Sequence, residues 1–268
     1  MDRLVGARAY PEPVTRHTPR ASTGLRPLPP GGEIDAHRHD DHQLAYAVSG
    51  VLSVTTDAGI WLASPARALW IPAGTVHEHR SFGGADLRLV GIPAARDPLG
   101  LARPAVLGVD SLLRELIVAC TGAPAAERDG AEWLRLRDVL LDRVARAPRY
   151  ADYVPSARDP RLAAVCRMLC DDPADDRTLG ELGARAGAGE RTLTRLFRAE
   201  LGMTFPQWRA QLRLHHAMVL LAEGLPVTTV AHRSGWASAS AFIDAFRRTF
   251  GHTPGTHRAR VDGRLLLR

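Results

Sequence analysis

The residues best placed to do chemistry in the C-terminal third of the chain are arginines on one short periodic segment. Between Glu190 and Leu201, Leu193 and Phe197 fall four apart and define an inward helix face, leaving Arg191, Thr194, Arg195 and Arg198 on the others. Arg191 and Arg195 are themselves four apart and lie toward the helix start. A guanidinium can donate two parallel hydrogen bonds to the edge of guanine, so these two are expected to read bases. Thr194 and Arg198 share the DNA-facing set.

The element that must position them is half of an internal repeat. Leu179, Leu182 and Gly187 precede Leu193, Phe197, Arg198, Leu201, Gly202 and Thr204, and the pattern returns as Val227, Val230 and Gly235 before Phe242, Phe246, Arg247, Phe250, Gly251 and Thr253. The offset is 48 residues before the turn and 49 after it, as if one residue had been inserted in the turn. Each copy reads as a short helix, a glycine turn and a second helix, which is the grammar of helix-turn-helix DNA binding. Between the copies, Pro206 suits the first turn of a helix running to about Glu223, with Gly224 past its end and Ala210, Leu214, Ala217, Met218 and Leu221 on one face. In the second copy Ser238 should cap the helix, with Ser240, Asp244 and Arg247 toward DNA. Small residues and an acid make few strong base contacts, so Ser238, Ser240, Arg247 and backbone amides are expected to hold phosphate.

Composition agrees with a polyanion partner. Net charge is +6, every basic residue is Arg, and ten Arg stand against three acids between Arg191 and Arg260. Cys120, Cys166 and Cys170 form no CxxC pair and read as buried thiols. At 268 residues two domains are expected. No apolar run is long enough to span a membrane and the N-terminus has no apolar leader, which points to a cytoplasmic protein without a membrane partner.

The segments TLGELGARAGAGERTLTRLFRAELGMTFPQWR and PVTTVAHRSGWASASAFIDAFRRTFGHTPGTHR resemble the DNA-binding domain of the AraC/XylS family of transcription regulators. The resemblance covers about 100 residues. It implies seven helices, the third and sixth entering the major groove of double-stranded DNA. Members with Gln or Arg on the sixth differ from the small residues here.

The N-terminal half carries two further motifs. GGEIDAHRHDDHQLAYAVSG has the spacing G-x5-H-x-H-x3-Q-x6-G, and PAGTVHEHR has P-x-G-x2-H. They resemble the two signatures of the cupin β-barrel. In metal-binding cupins the ligands are two His and a Glu from the first motif and one His from the second, which carry over to His37, His39, Gln43 and His77. Gln43 replaces the Glu, Ala66 replaces an opening glycine, and Ser81 stands where the motif has Asn. Three imidazoles can still bind zinc, nickel or iron, with His42 or His79 as substitutes, so the pocket is expected to take either a divalent metal or an organic effector, or to serve only as structure.

Strands are expected at about Leu44–Val48, Val51–Thr55, Ile60–Leu62, Ala68–Ile71 and Leu87–Ile92, and helices at Ser111–Cys120 and Ala131–Ala147. Trp61, Trp70 and Tyr46 lie on these strands, lining the pocket, packed in the core or on the barrel exterior. The expected organisation is α+β and multidomain: an irregular lead-in over 1–27, a cupin-like sensor barrel over 28–100, a helical dimerisation or linker region over 101–155, and a double helix-turn-helix domain over 156–260. The expected function is effector-responsive transcription regulation as a homodimer, with RNA polymerase as a further partner of an activator. The competing readings are a metal-dependent cupin enzyme and a cupin interaction protein whose helical half binds another protein.

Overall fold

The computed structural model describes residues 16–262. They fall into two compact units, one formed by residues 16–56, 61–152 and 258–262, the other by 57–60 and 153–257. Among the described residues no helix is long and apolar enough to cross a membrane.

The first unit holds ten main strands in chain order: β1 His17–Thr18, β2 Gly24–Leu28, β3 Glu33–His39, β4 His42–Ala47, β5 Val51–Thr56, β6 Gly59–Ala63, β7 Arg67–Ile71, β8 His77–Phe82, β9 Ala85–Ile92 and β10 Ala105–Gly108. They form two sheets. One runs β1-β3-β8-β5-β6; the other runs β10-β7-β4-β9-β2, extended beyond β10 by the short strand β11, Arg149–Tyr150. β4 has six buried residues because the pleat sends them to two covered faces. Leu44 and Tyr46 join Trp70, Val90 and Ile92 in a core closed by Leu113, Ile117 and Cys120 of α1 (Ser111–Gly122) and Leu140 and Val144 of α2 (Ala131–Arg146). Asp110 caps α1 by accepting from the Leu113 amide. Tyr46 and Trp70 thus pack under the helices, and the Tyr46 hydroxyl donates to the Pro65 carbonyl. All three cysteines are free thiols, with Cys120 and Cys166 buried and Cys170 half-buried.

The expected strands and both helices are present, but the sheets contain more than the apolar pattern showed. β1 and β2 lie in the stretch read as irregular, β10 lies in the stretch read as helical, and Pro148–Pro160 contains β11 and β12 (Tyr153–Pro155) before a helix start. β2 escapes detection because it is an edge strand, GLRPL, where Pro27 is tolerated and three of five residues are exposed. β3 and β8 escape because they alternate with histidine rather than with aliphatic residues.

The second unit is helical: α3 Pro160–Asp171, α4 Leu179–Arg185, α5 Glu190–Leu201, α6 Phe205–Ala222, α7 Val227–Arg233, α8 Ala239–Phe250 and α9 Pro254–Val261. Pro160 sits in the first turn of α3 behind the cap Asp159. Leu162, Val165 and Leu169 of α3 pack with Leu182, Leu193, Phe197, Trp208 and Leu212 in the first copy of the repeat. In the second copy Phe242, Phe246 and Phe250 pack along α8, edge-to-face and then tilted, with ring centroids 5.6 and 4.5 Å apart. α6 is buried well beyond the expected single face, since Trp208, Leu212, His215, Val219 and Leu220 are covered too. Trp208 and Leu212 serve the first copy while α6 also packs on α7.

His216 on α6 is half-buried, its Nδ1 has no hydrogen-bond partner, and burial lowers its pKa to about 4, the nearby Arg233 working in the same direction and Asp172 against it. Above the ordinary histidine value the imidazole is neutral in folded and unfolded chains alike, so this part of the stability is present in full. Between that value and about 4 the unfolded chain takes up a proton that the folded one refuses, and stability falls with pH. Replacing His216 with Gln should reduce the stability lost between pH 7 and 4.5 by about 1–2 kcal/mol. Urea unfolding of both proteins at the two pH values checks this; an equal acid loss in the variant would refute it.

Candidate nucleic-acid interface and metal centre

The first helix-turn-helix is held by local chemistry. Thr178 and Glu181 form a reciprocal capping box at the start of α4. The turn closes through the Ala188 amide donating to the Gly183 carbonyl at 2.9 Å. A Cβ on Gly183 would stand 2.4 Å from the Ala188 carbonyl oxygen and 2.8 Å from Leu193 Cδ1, so the approach of α4 to α5 requires glycine there. The sequence pattern had pointed only to Gly187, whose φ is +69° but whose Cβ direction is open.

α5 then buries Leu193, Phe197 and Leu201 and presents Arg191, Arg195 and Arg198 to solvent beside half-buried Thr194. These four line one groove with Glu190 and Ala199. The arginines differ from four others in the same unit. Arg161 and Arg177 are paired to Asp159 and Asp175, and Arg209 and Arg213 donate to backbone carbonyls. Among the described residues, Arg191, Arg195 and Arg198 have neither ion pair nor hydrogen bond. An unpaired cluster of like charges is repulsive on its own account and suits a polyanion.

α8 presents a different surface. Ser238 is its N-cap, accepting from the Ala241 amide, so that oxygen is already engaged with its own helix. Ser240, Asp244 and Arg247 are exposed, as is Arg248, which the sequence reading did not single out.

The second set of residues lies in the barrel. Antiparallel pairing sets His37 of β3 opposite His77 of β8, after a shift in register from the Ile34–His79 pair. The ring centroids of His37 and His77 are 4.3 Å apart, those of His39 and His77 5.0 Å, and those of His37 and His39 5.9 Å. Each ring has Nδ1 against a backbone carbonyl two residues away: His37 on Asp35 at 2.8 Å, His39 on Asp41 at 2.6 Å, His77 on Thr75 at 2.9 Å. Those bonds place the proton on Nδ1 and leave Nε2 as a lone pair, which is the way metal-bound histidines are oriented. Nε2 of His39 and of His77 is buried without a partner. One ligand atom from each of the three rings lies within 4.8 Å of the others. A tetrahedral ion with bonds near 2.05 Å needs such atoms roughly 3.3 Å apart, a gap that small ring movements close.

Burial keeps these rings neutral. It is the largest cause at every one, lowering His77 to about 3 and holding His37, His39 and His79 below the usual histidine value. Gln43 is 1% exposed, and neither amide atom has a partner in hydrogen-bonding geometry, although it sits close enough to His39 to favour its charged form. Of the two alternative histidines, His79 joins the cluster, 5.1 Å from His77, fully enclosed and with both nitrogens unpartnered. His42 is otherwise engaged: it accepts from the Ala73 amide, stacks on Trp70 and lies 3.6 Å from Asp97.

Two family models match the chain, a helix-turn-helix domain over residues 182–260 and a cupin domain over residues 24–93. The HTH-type transcriptional regulator NimR of Escherichia coli K12 is 32% identical over 228 residues, 84% of this chain and 82% of that one. The RCS-specific HTH-type transcriptional activator RclR of the same organism is 30% identical over 230 residues, 84% of this chain and 72% of that one. Among solved structures, the DNA-binding domain of AdpA in complex with a target DNA is 33% identical, covering 40% of this chain and 96% of that one with a TM-score of 0.37.

The two turn glycines should respond differently to the same change. Gly183→Ala must push backbone away and is expected to cost about 2–3 kcal/mol, whereas Gly187→Ala meets open space and should cost about 1 kcal/mol for its left-handed φ. Urea midpoints of the two variants give the comparison; equal losses would show that the α4–α5 approach is not steric in origin.

Proposed function

We propose that this chain, which belongs to the AraC/XylS family of DNA-binding transcription regulators, reads double-stranded DNA mainly through α5 and alters that reading according to what its barrel holds. The observation that carries the first part is the trio of unpaired guanidiniums, Arg191, Arg195 and Arg198, on a helix whose opposite face is fixed in the core. Arg191 and Arg195 take base edges; Thr194 and Arg198 complete the contact. α8 adds phosphate contacts through Ser240 near the positive, N-terminal end of the helix, with Ser238 holding that end in shape, and through Arg247 in its last turn, while Asp244 repels phosphate from the intervening position. α6, with 18 residues, is about 27 Å long, which suits two reading helices set one DNA turn apart.

The barrel is the sensor. Its histidines fit a divalent ion such as zinc, nickel or iron: three neutral imidazoles with Nδ1 tied down and Nε2 free would hold it, and Gln43 and His79 border them. Bound there, such an ion supplies a Lewis-acid centre able to accept a further donor. The occupant must favour one state of the chain over another if DNA affinity is to change. We read the barrel as sensing rather than catalytic, in keeping with the regulators it resembles. The chain works as a homodimer in the cytoplasm, with the exposed Leu112 of α1 and Val139 of α2, 51% and 47% accessible, as candidate contacts, and RNA polymerase is a further partner if it activates.

Binding to the DNA upstream of its own gene tests the first part. Arg195→Ala should weaken specific binding by about 1–3 kcal/mol and relax preference at one base pair, while Arg247→Ala should weaken all sequences alike and lower the salt slope by about 1. Wild-type binding without sequence preference, or an unchanged Arg195→Ala protein, would overturn it. For the second part, protein purified without chelator or tag should carry about one metal ion per chain and lose it on His77→Ala; a metal-free wild type that still holds no ion after dialysis against zinc would overturn it.

A further inference from the structure

The barrel site has an imbalance of charge. His37, His39 and His77 are neutral donors, and so are the two enclosed polar side chains beside them, Gln43 and His79, each 1% exposed. The carboxylate that bears on the cluster is Asp41, which favours the charged form of His39, but its Oδ2 accepts the Ala21 amide at 3.2 Å. Arg16 and Arg26 act on His37 in the opposite sense, and Arg26 on His79 as well. A divalent ion held by this set would keep its full double charge inside a barrel whose nearby field is already positive. Charge of that kind is stable in a protein interior only when it is compensated.

Compensation has to come from outside the chain's own donor set. A tetrahedral ion with three histidines keeps one position open. Next to it stand unused donors of two kinds: the Gln43 amide N–H groups and the ring N–H of neutral His79, neither of which has a partner. One negative charge and two hydrogen-bond acceptors on one small group describe a carboxylate. We propose that the barrel takes a small carboxylate-bearing molecule, bound as an anion to the ion held by His37, His39 and His77 and hydrogen-bonded by Gln43 and His79, and that this molecule is the effector. The inference rests on the metal reading above. On this account Gln43 leaves the charge of the site to the visiting anion, which makes occupancy depend on its concentration.

Full-length protein loaded with cobalt(II) gives the test, because the visible spectrum of the ion follows its ligands. At fixed pH and ionic strength it is titrated with acetate and, separately, with acetamide, which has the same shape and no charge. Acetate should shift the spectrum saturably and acetamide should not. Gln43→Glu, which returns a carboxylate to the site, should bind one cobalt per chain while its affinity for acetate falls about tenfold or more. Cobalt bound stoichiometrically with no response to acetate, or with equal response to acetamide, overturns the anion and leaves the metal reading standing. Absence of stoichiometric cobalt overturns both. An unchanged acetate affinity in folded Gln43→Glu also overturns the anion; if that variant does not fold, the acetate and acetamide titrations of the wild type decide.

Discussion

The barrel depends on a single register. Side chains on a strand alternate between faces, so pairing His37 with His77 puts His37, His39, His77 and His79 on a common face, and a slip of β3 by one residue would turn His37 and His39 away from the other two. The irregularity between Ile34 and His37 resets the pairing just before the first of them, as bulges beside functional sites often do. Three buried rings, His39, His77 and His79, with unpartnered nitrogens are costly to enclose, at about 1–3 kcal/mol for each unsatisfied polar group. The opposite sheet bears that load: the outer side chains of β4, β7 and β9 pack against α1 and α2 in an unbroken apolar core. A frame so firmly closed on one side can hold a polar interior on the other.

What the sequence could and could not disclose follows from the same division. The helix-turn-helix copies were legible because their core residues recur at helical spacing and repeat, so Leu193, Phe197, Phe242 and Phe246 fall where the periodicity puts them. The strands with apolar alternation were legible as well. β3 and β8 were not, although their histidines stood out as motif residues, because EIDAHRH and HEHRSF break the apolar pattern at the very positions that face inward. Local rules fail where a site replaces core. Motif spacing singled out His37, His39, Gln43 and His77, of which the structure brings the three histidines together, but which spare histidine lies beside them needed three dimensions: His79 turns inward by alternation, whereas His42 is held by Ala73, Trp70 and Asp97.

Arginine is the only basic residue, and the fold puts it to two uses. Arg209 and Arg213 of α6 hold the Asp172–Arg177 segment through its backbone carbonyls, Arg177 pairs with Asp175 inside that segment, and Arg67 pairs with Asp152 while lying 3.5 Å from the centre of the Tyr150 ring. A planar guanidinium with several donors suits such bracing better than an ammonium. Net charge therefore overstates the DNA-facing surface, much of it being spent internally. Of the arginines left over, Arg191 and Arg195 stand one turn apart on the same exposed side of α5, which is why location carries more information than the total.

That placement makes the two helix-turn-helix copies unequal. α5 and α8 bury matching Leu or Phe faces and both end in a left-handed glycine, Gly202 and Gly251. Their outer faces differ at two matched positions: Arg191 and Arg195 on α5 stand where α8 has Ser240 and Asp244, whereas Arg198 is matched by Arg247. Phosphate contacts fix position but carry no sequence information, so under the proposed function the second copy sets where α5 lands and the first sets what it accepts. One strongly reading helix spans few base pairs, and each mismatch it rejects is worth only about 1–3 kcal/mol. A chain built in this way gains selectivity chiefly by bringing a second α5 to a neighbouring site, and this ties the proposed homodimer to the chemistry of the reading helix.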